Sequence, residues 1–221
     1  MGKKNRRARR QTELRRRVGT QAPGQSVLVV CEGGKTEPQY FKALAGHLGL
    51  LNLVEVQVEG KECGSAPISV VDHAIKVRAG RKQKAAKSNL VVEFDEVWCV
   101  CDVEVTVPHP TLPQARDKAT GNDISIVLSN PCFEYWYILH FEYTTRGFSR
   151  NEQCKKRLKK HLPEYEKGST STFESIKENT DIAVKRAEKG LQSKQCNMDP
   201  VQGNSSTDVY KLIRYLKGFS S

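Results

Sequence analysis

The stretch Ser26-Val27-Leu28-Val29-Val30-Cys31-Glu32-Gly33-Gly34-Lys35-Thr36-Glu37-Pro38-Gln39-Tyr40-Phe41 decides the fold. Residues 26–31 form a short, β-branched, apolar run without alternation, the pattern of a strand buried on both faces. Glu32-Gly33-Gly34-Lys35 reads as a turn. Thr36 is then expected to cap a helix. Pro38 lies near its first turn, and Tyr40, Phe41, Leu44, Ala45 and Leu48 form its apolar side. A buried strand, a tight turn and a helix make a βα unit. Its parallel partner strands must lie further along the chain.

The remaining sequence supplies them. Residues 53–58 alternate and read as a second strand. A helix is expected over 67–87, where Ile68, Val71 and Ile75 recur at helical spacing beneath a basic face. Glu96–Val103 is a third strand, 112–120 a helix and 123–128 a fourth strand. The very apolar, aromatic run 132–141 is too long for most strands and reads as a buried helix, with Trp136 and its neighbours as core. Helices follow over 151–162, 171–190 and 207–217. Strands alternating with helices predict a mostly parallel α/β sheet, covered on both faces and followed by C-terminal helices. Residues 1–24 are expected to be a basic, disordered tail and 25–221 a single domain.

Charge is unevenly placed along the 221 residues. The formal net charge is +11, of which the first 17 residues carry +8 and the rest +3. Arg6, Arg7, Arg9, Arg10, Arg15 and Arg16 lie in the tail. Lys76, Arg78, Arg81 and Lys82 lie on the expected basic helix, and a third cluster spans Lys155, Lys156, Arg157, Lys159 and Lys160. Such clusters bind phosphate backbones through counterion release, and singly they are ordinary solvated faces. Three in one chain point to a polyanionic partner, DNA or RNA. The longest apolar runs are about five residues, far short of the roughly 20 a membrane helix needs, so no membrane association is expected. No apolar core follows the basic N-terminus, so no secretion signal is expected either. The seven cysteines are odd in number and none lies in a CxxC pair. They read as reduced thiols of a cytoplasmic protein. Cys99 and Cys101 with His47, His73 or His109 lack the spacing of a zinc ribbon or finger.

Two expected strands end in carboxylates. Glu32 follows the first, with Lys35 and Glu37 close behind; Asp102 and Glu104 end the third. In open α/β sheets ligands gather beyond the carboxyl ends of strands. Asp102 and Glu104 share a face if strand geometry persists through them. Neighbouring acids repel one another, and a divalent cation with oxygen ligands relieves that repulsion. The alternative is that these acids are helix N-terminal or solvated loop residues. The Gly-Gly turn is not a phosphate-binding loop of the GxxxxGK[ST] type, because Val29 stands where its first glycine is needed.

The opening segment Val29–Phe41 resembles that of the RloB family. So do Val97–Glu104, Ser129–Phe141 (with Asn130, Pro131 and Glu134) and Ser206–Ile213, in that order along the chain. RloB proteins are similar to the Toprim superfamily, especially the nuclease domains of OLD proteins. They are associated with bacterial anti-phage loci that often encode an ATPase. The resemblance implies a Toprim-like, Rossmann-like fold. It implies a nuclease dependent on Mg²⁺ or Mn²⁺, with an ATPase partner and a role in antiviral defence or abortive infection. Residue by residue, Glu32 matches the Toprim glutamate and Asp102 the first acid of the DxD pair. Glu104 replaces the second aspartate, Glu37 is a further ligand candidate, and Asn130 and Glu134 are accessory. Lys35 is assigned to offsetting charge on the phosphate. The competing expectation is a catalytically degenerate subunit that binds nucleic acid or docks on a partner.

Overall fold

The computed structural model describes residues 26–58, 66–104, 109–193 and 199–219. The tail arginines Arg6, Arg7, Arg9, Arg10, Arg15 and Arg16 lie outside the described residues. In chain order the elements are β1 (Val27–Cys31), α1 (Thr36–His47), β2 (Val54–Val58), α2 (Pro67–Ala85), β3 (Glu96–Asp102), α3 (Leu112–Thr120), β4 (Ser125–Asn130), α4 (Glu134–Phe141), α5 (Asn151–Leu158), α6 (Ser171–Ile176), α7 (Thr180–Ser193), β5 (Ser206–Thr207) and α8 (Tyr210–Lys217). The five strands form one sheet in the order β2-β1-β3-β4-β5. The first four are parallel, and β5 runs antiparallel to β4.

β1 is the centre of the molecule, and every one of its residues is fully buried. Its side chains serve two cores in alternation, as period two requires. Val27, Val29 and Cys31 join a core built with α1, α4, α7 and α8. Leu28 and Val30 join Cys99, Cys101 and the apolar sides of α2 and α3. A strand covered on both faces needs no polar positions, which is why its sequence does not alternate. Burying each of these valines and Leu28 contributes roughly 1.5–3 kcal/mol before chain entropy is counted. Cys31, Cys99, Cys101, Cys132 and Cys154 are buried thiols in no disulfide. The aromatic run is core: Trp136 is fully buried, with its ring edge-on to Tyr40 at 6.3 Å.

Three local expectations need correction. Thr36 does not cap α1: the helix starts at Thr36 itself, Lys35 is the N-cap residue, and no side chain caps it. The helix expected over 171–190 is two. α6 ends at Ile176, a 3₁₀ turn occupies Lys177–Asn179, and α7 begins at Thr180, whose hydroxyl donates to the Lys177 carbonyl at 2.8 Å. The last helix starts only at Tyr210, because Ser206–Thr207 is an edge strand pairing with Ser129 and Asn130. No described helix is long and apolar enough to cross a membrane.

Candidate active site

From β1 the chain moves outward to β2, then returns past β1 to build β3 and β4 on its other side. The strand order therefore reverses between β1 and β3, where a crevice opens at the carboxyl ends of an α/β sheet. Glu32 follows β1 there, and Asp102 is the last residue of β3. The Glu32 N–H donates to the Val100 carbonyl at 3.0 Å, so the backbone pairing extends one residue past the strand. The Glu32 carboxylate turns across the gap and accepts the Asp102 N–H at 3.0 Å.

Two helix N-termini meet this edge. Glu37 is the second residue of α1 and Glu134 the first of α4. Both are deeply buried, at 5% and 3% exposure. The partial positive charge of a helix N-terminus is where a buried carboxylate is best tolerated. Glu134 Oε1 accepts the Tyr165 hydroxyl at 3.1 Å. Glu37 Oε2 is buried and has no hydrogen-bond partner among the described residues. The position of Glu37 depends on Gly33, because a Cβ on Gly33 would collide with both oxygens of the Glu37 carboxylate.

The four acids share one electrostatic environment. Burial raises Asp102 well above the usual carboxylate range, and the charges of Glu37, Glu32 and Glu134 raise it further; Lys167 opposes them. Glu37 is also raised, by burial first and with Glu134 adding to it, against its own N–H and the charges of Lys167 and Lys155. Groups pushed this far from their ordinary range mark functional clefts more often than chance places them there.

Of the residues singled out from sequence, Glu32, Glu37, Asp102 and Glu134 come together. Glu104 does not share the strand alignment of Asp102. Strand geometry stops at Asp102, and Glu104 is exposed with a left-handed backbone at φ 65°, so the alternation that would align it with Asp102 ends too early. Lys35 is exposed at the turn, and its stem lies on the next loop: a Cβ on Gly168 would stand 2.7 Å from Lys35 Cβ. Asn130 ends β4, but it does not cap α4. Its Nδ2 donates to the Pro200 carbonyl at 2.9 Å, and its Oδ1 is buried without a partner among the described residues. On α2, Lys76 and Lys82 are exposed. Arg78 instead donates to the Asn122 carbonyl at 2.6 Å. Arg81 donates to the Val92 carbonyl at 2.8 Å, pairs with Glu55 at 3.0 Å and lies 4.8 Å over the Phe94 ring. These two arginines hold the domain together rather than standing free for a ligand. Tyr165 and Lys167 carry no assignment in the sequence, because they sit in a polar loop without periodicity; Lys155 belongs to the third basic cluster.

The donors suit a hard divalent cation in kind. They are carboxylate oxygens, one of them orphaned in the interior, in a cluster whose net charge is negative. Among the described residues no three acidic, histidine or cysteine side chains stand close enough together to hold an ion as they lie. Glu32 and Glu134 are each turned toward a hydrogen-bond donor instead.

A protein-family model described as RloB-like protein matches residues 27–216, nearly the whole chain. Neither the curated proteins nor the solved structures include a match.

Proposed function

The chain belongs to the RloB-like family, and on that footing we propose that it is a metal-dependent nuclease that hydrolyses a phosphodiester at the Glu32–Glu37–Asp102–Glu134 cluster. The observation that carries the reading is the gathering at a sheet switch point of Glu32, bonded to the Asp102 N–H, with the buried helix-N-terminal acids Glu37 and Glu134, whose charges add to burial in raising Asp102. A structural acid gains nothing from such neighbours, whereas a site for Mg²⁺ or Mn²⁺ requires them. A cation bound there supplies Lewis acidity and a lowered pKa for an attacking water. Asp102 and Glu37 are the principal ligands. Glu32, whose carboxylate accepts the Asp102 N–H, acts as a further ligand or proton acceptor, and Glu134, whose carboxylate accepts the Tyr165 hydroxyl, is accessory. Lys35, at the mouth, offsets charge developing on the phosphate. Asn130 Oδ1 is an accessory acceptor. An ATPase partner and a role in anti-phage defence extend the proposal on family grounds.

The test is cleavage of labelled plasmid, single-stranded DNA and RNA with Mg²⁺, Mn²⁺ or EDTA, alongside Asp102→Asn. Metal-dependent cutting that vanishes in the variant is expected. Cutting that survives in both Asp102→Asn and Glu32→Gln refutes the site. The exposed position of Glu104 beyond the end of β3 favours one second reading, a binding subunit with a degenerate site. It is expected to give salt-sensitive, metal-independent binding and no cutting, with or without a partner.

A further inference from the structure

Resting on the nuclease reading, we propose that the nucleic acid approaches along α5 and the loop after it, with its phosphates held by Lys155, Lys156, Lys159, Lys160 and Lys167. The basic helix α2 is not the approach surface. Residues 150–169 hold seven arginines and lysines against three acids, Glu152, Glu164 and Glu166. Lys156, Lys159, Lys160 and Lys167 are exposed, and Lys155 is partly so. The ion pairs of the described residues engage other lysines: Lys118, Lys177, Lys211 and Lys217. Arg157, on the same helix, is bound in a two-pronged pair to Glu142 and contributes no free charge.

Position separates this surface from α2. α5 packs on α4, the helix that begins with Glu134. The Lys155 charge reaches Glu37, and the Lys167 charge reaches both Glu37 and Asp102. The loop carrying Lys167 rests on Lys35 through Gly168, whose backbone is left-handed at φ 87°. The cations thus lie on the helix packed against α4 and on the loop after it, and the two named charges act on the acids. α2 covers the opposite face of the sheet, packing on β1, β3 and α3. A track of ammonium groups ending at carboxylates fits a polyphosphate chain: the lysines take its backbone and the acids take the cation at its reacting phosphate.

The experiment is fluorescence anisotropy of labelled duplex DNA, single-stranded DNA and RNA, titrated with salt in EDTA so that nothing is cut. The full chain is used, so the N-terminal tail contributes equally to every variant. Lys156→Gln/Lys159→Gln/Lys160→Gln should weaken binding by about tenfold or more and flatten the log K against log salt slope by roughly 2–3, at 0.7–0.9 per lost phosphate contact. Lys76→Gln/Lys82→Gln/Lys84→Gln should weaken it by less than about threefold. All six lysines are exposed, so both variants should fold, which circular dichroism checks. The proposal is overturned if the α2 variant loses as much as the α5 variant, if the α5 variant binds like wild type, or if the wild type binds none of the three probes. The nuclease reading fails separately: a chain that binds along α5 but never cuts with Mg²⁺ or Mn²⁺ keeps this surface and loses the catalytic assignment.

Discussion

Replacing Asp102 with asparagine should make the metal-free protein more stable while abolishing cleavage. Asp102 is the partly buried last residue of β3, where burial first and then the charges of Glu37, Glu32 and Glu134 disfavour its ionised form, and Lys167 opposes them. At an effective dielectric constant near 20, each like-charged neighbour costs roughly 2 kcal/mol, and one cation returns a similar amount. Protons shared within the cluster reduce the sum, so a net gain of about 1–3 kcal/mol is expected for the neutral isostere. For a chain of this size that is a rise in Tm of roughly 2–10 °C. The gain depends on pH with a definite sign. A carboxyl whose pKa is raised in the folded state stabilises the fold below its unfolded value, near 3.9, and loses that contribution as pH rises through the folded value. Wild type should therefore fall behind Asp102→Asn between acid and neutral pH, and the two should converge near pH 4. Mn²⁺ at about 100 times its Kd should restore roughly 2.7 kcal/mol to wild type and much less to the variant. Differential scanning fluorimetry in EDTA and in Mn²⁺, across pH, reads all of this. An Asp102→Asn protein that is less stable than wild type in EDTA would refute the reasoning, because Asp102 would then be a structural acceptor.

Glu32→Gln should fold normally, since its amide oxygen still accepts the Asp102 N–H. Glu32→Ala orphans that donor and should cost about 1–3 kcal/mol by chemical denaturation, with cleavage lost in both. Gly33→Ala forces the Glu37 carboxylate away from its seat; it should abolish metal-induced stabilisation in thermal shift, with little change in circular dichroism. Gly168→Ala combines a left-handed backbone with a clash on Lys35, and should cost about 1–2 kcal/mol and speed limited proteolysis of the 163–170 loop. Arg81→Ala removes a carbonyl hydrogen bond, an ion pair and a ring contact; it should lower Tm by an amount equivalent to about 1–2 kcal/mol and leave oligonucleotide affinity within about twofold.

The fold was legible where burial repeats along the chain. Val27–Cys31 and Val97–Cys101 are continuous apolar runs because both faces are covered, and the carboxylates that follow them, Glu32 and Asp102, fell in the acid cluster. Legibility failed where a single long-range contact decides local structure. Ser206–Thr207 is polar and two residues long, and it is a strand because Thr207 pairs with Ser129 across 78 positions, their hydroxyls 2.9 Å apart. The break before Thr180 is local, a 3₁₀ turn over Lys177–Asn179 that no glycine or proline announces. Glu104 was misplaced because period two was extended through a residue whose backbone is left-handed. Tyr165 and Lys167 reach the site from a loop whose residues give no pattern, and chain separation hid their proximity to Glu134 and Asp102.

The arrangement of the acids bears on what could occupy them. Two helix N-termini and Lys167 supply partial positive charge, yet burial first and then the neighbouring carboxylates keep Asp102 and Glu37 raised. The fold tolerates this because the site sits on a sheet whose central strand is buried throughout. Repulsion there can be held without the strands parting. Among the described residues the carboxylates stand apart. Glu32 leans to a backbone N–H and Glu134 to a tyrosine hydroxyl, each taking the nearest available donor, while Glu37 Oε2 has none. In the proposed reading, ligation competes with two hydrogen bonds and with protons held by raised carboxyls. Metal affinity should therefore rise steeply with pH, by up to tenfold per unit for each proton displaced, and Tyr165→Phe, which frees Glu134, should tighten Mn²⁺ binding measured by isothermal titration calorimetry. Unchanged or weaker binding in that variant would mean that Tyr165 orients Glu134 for the ion rather than competing with it.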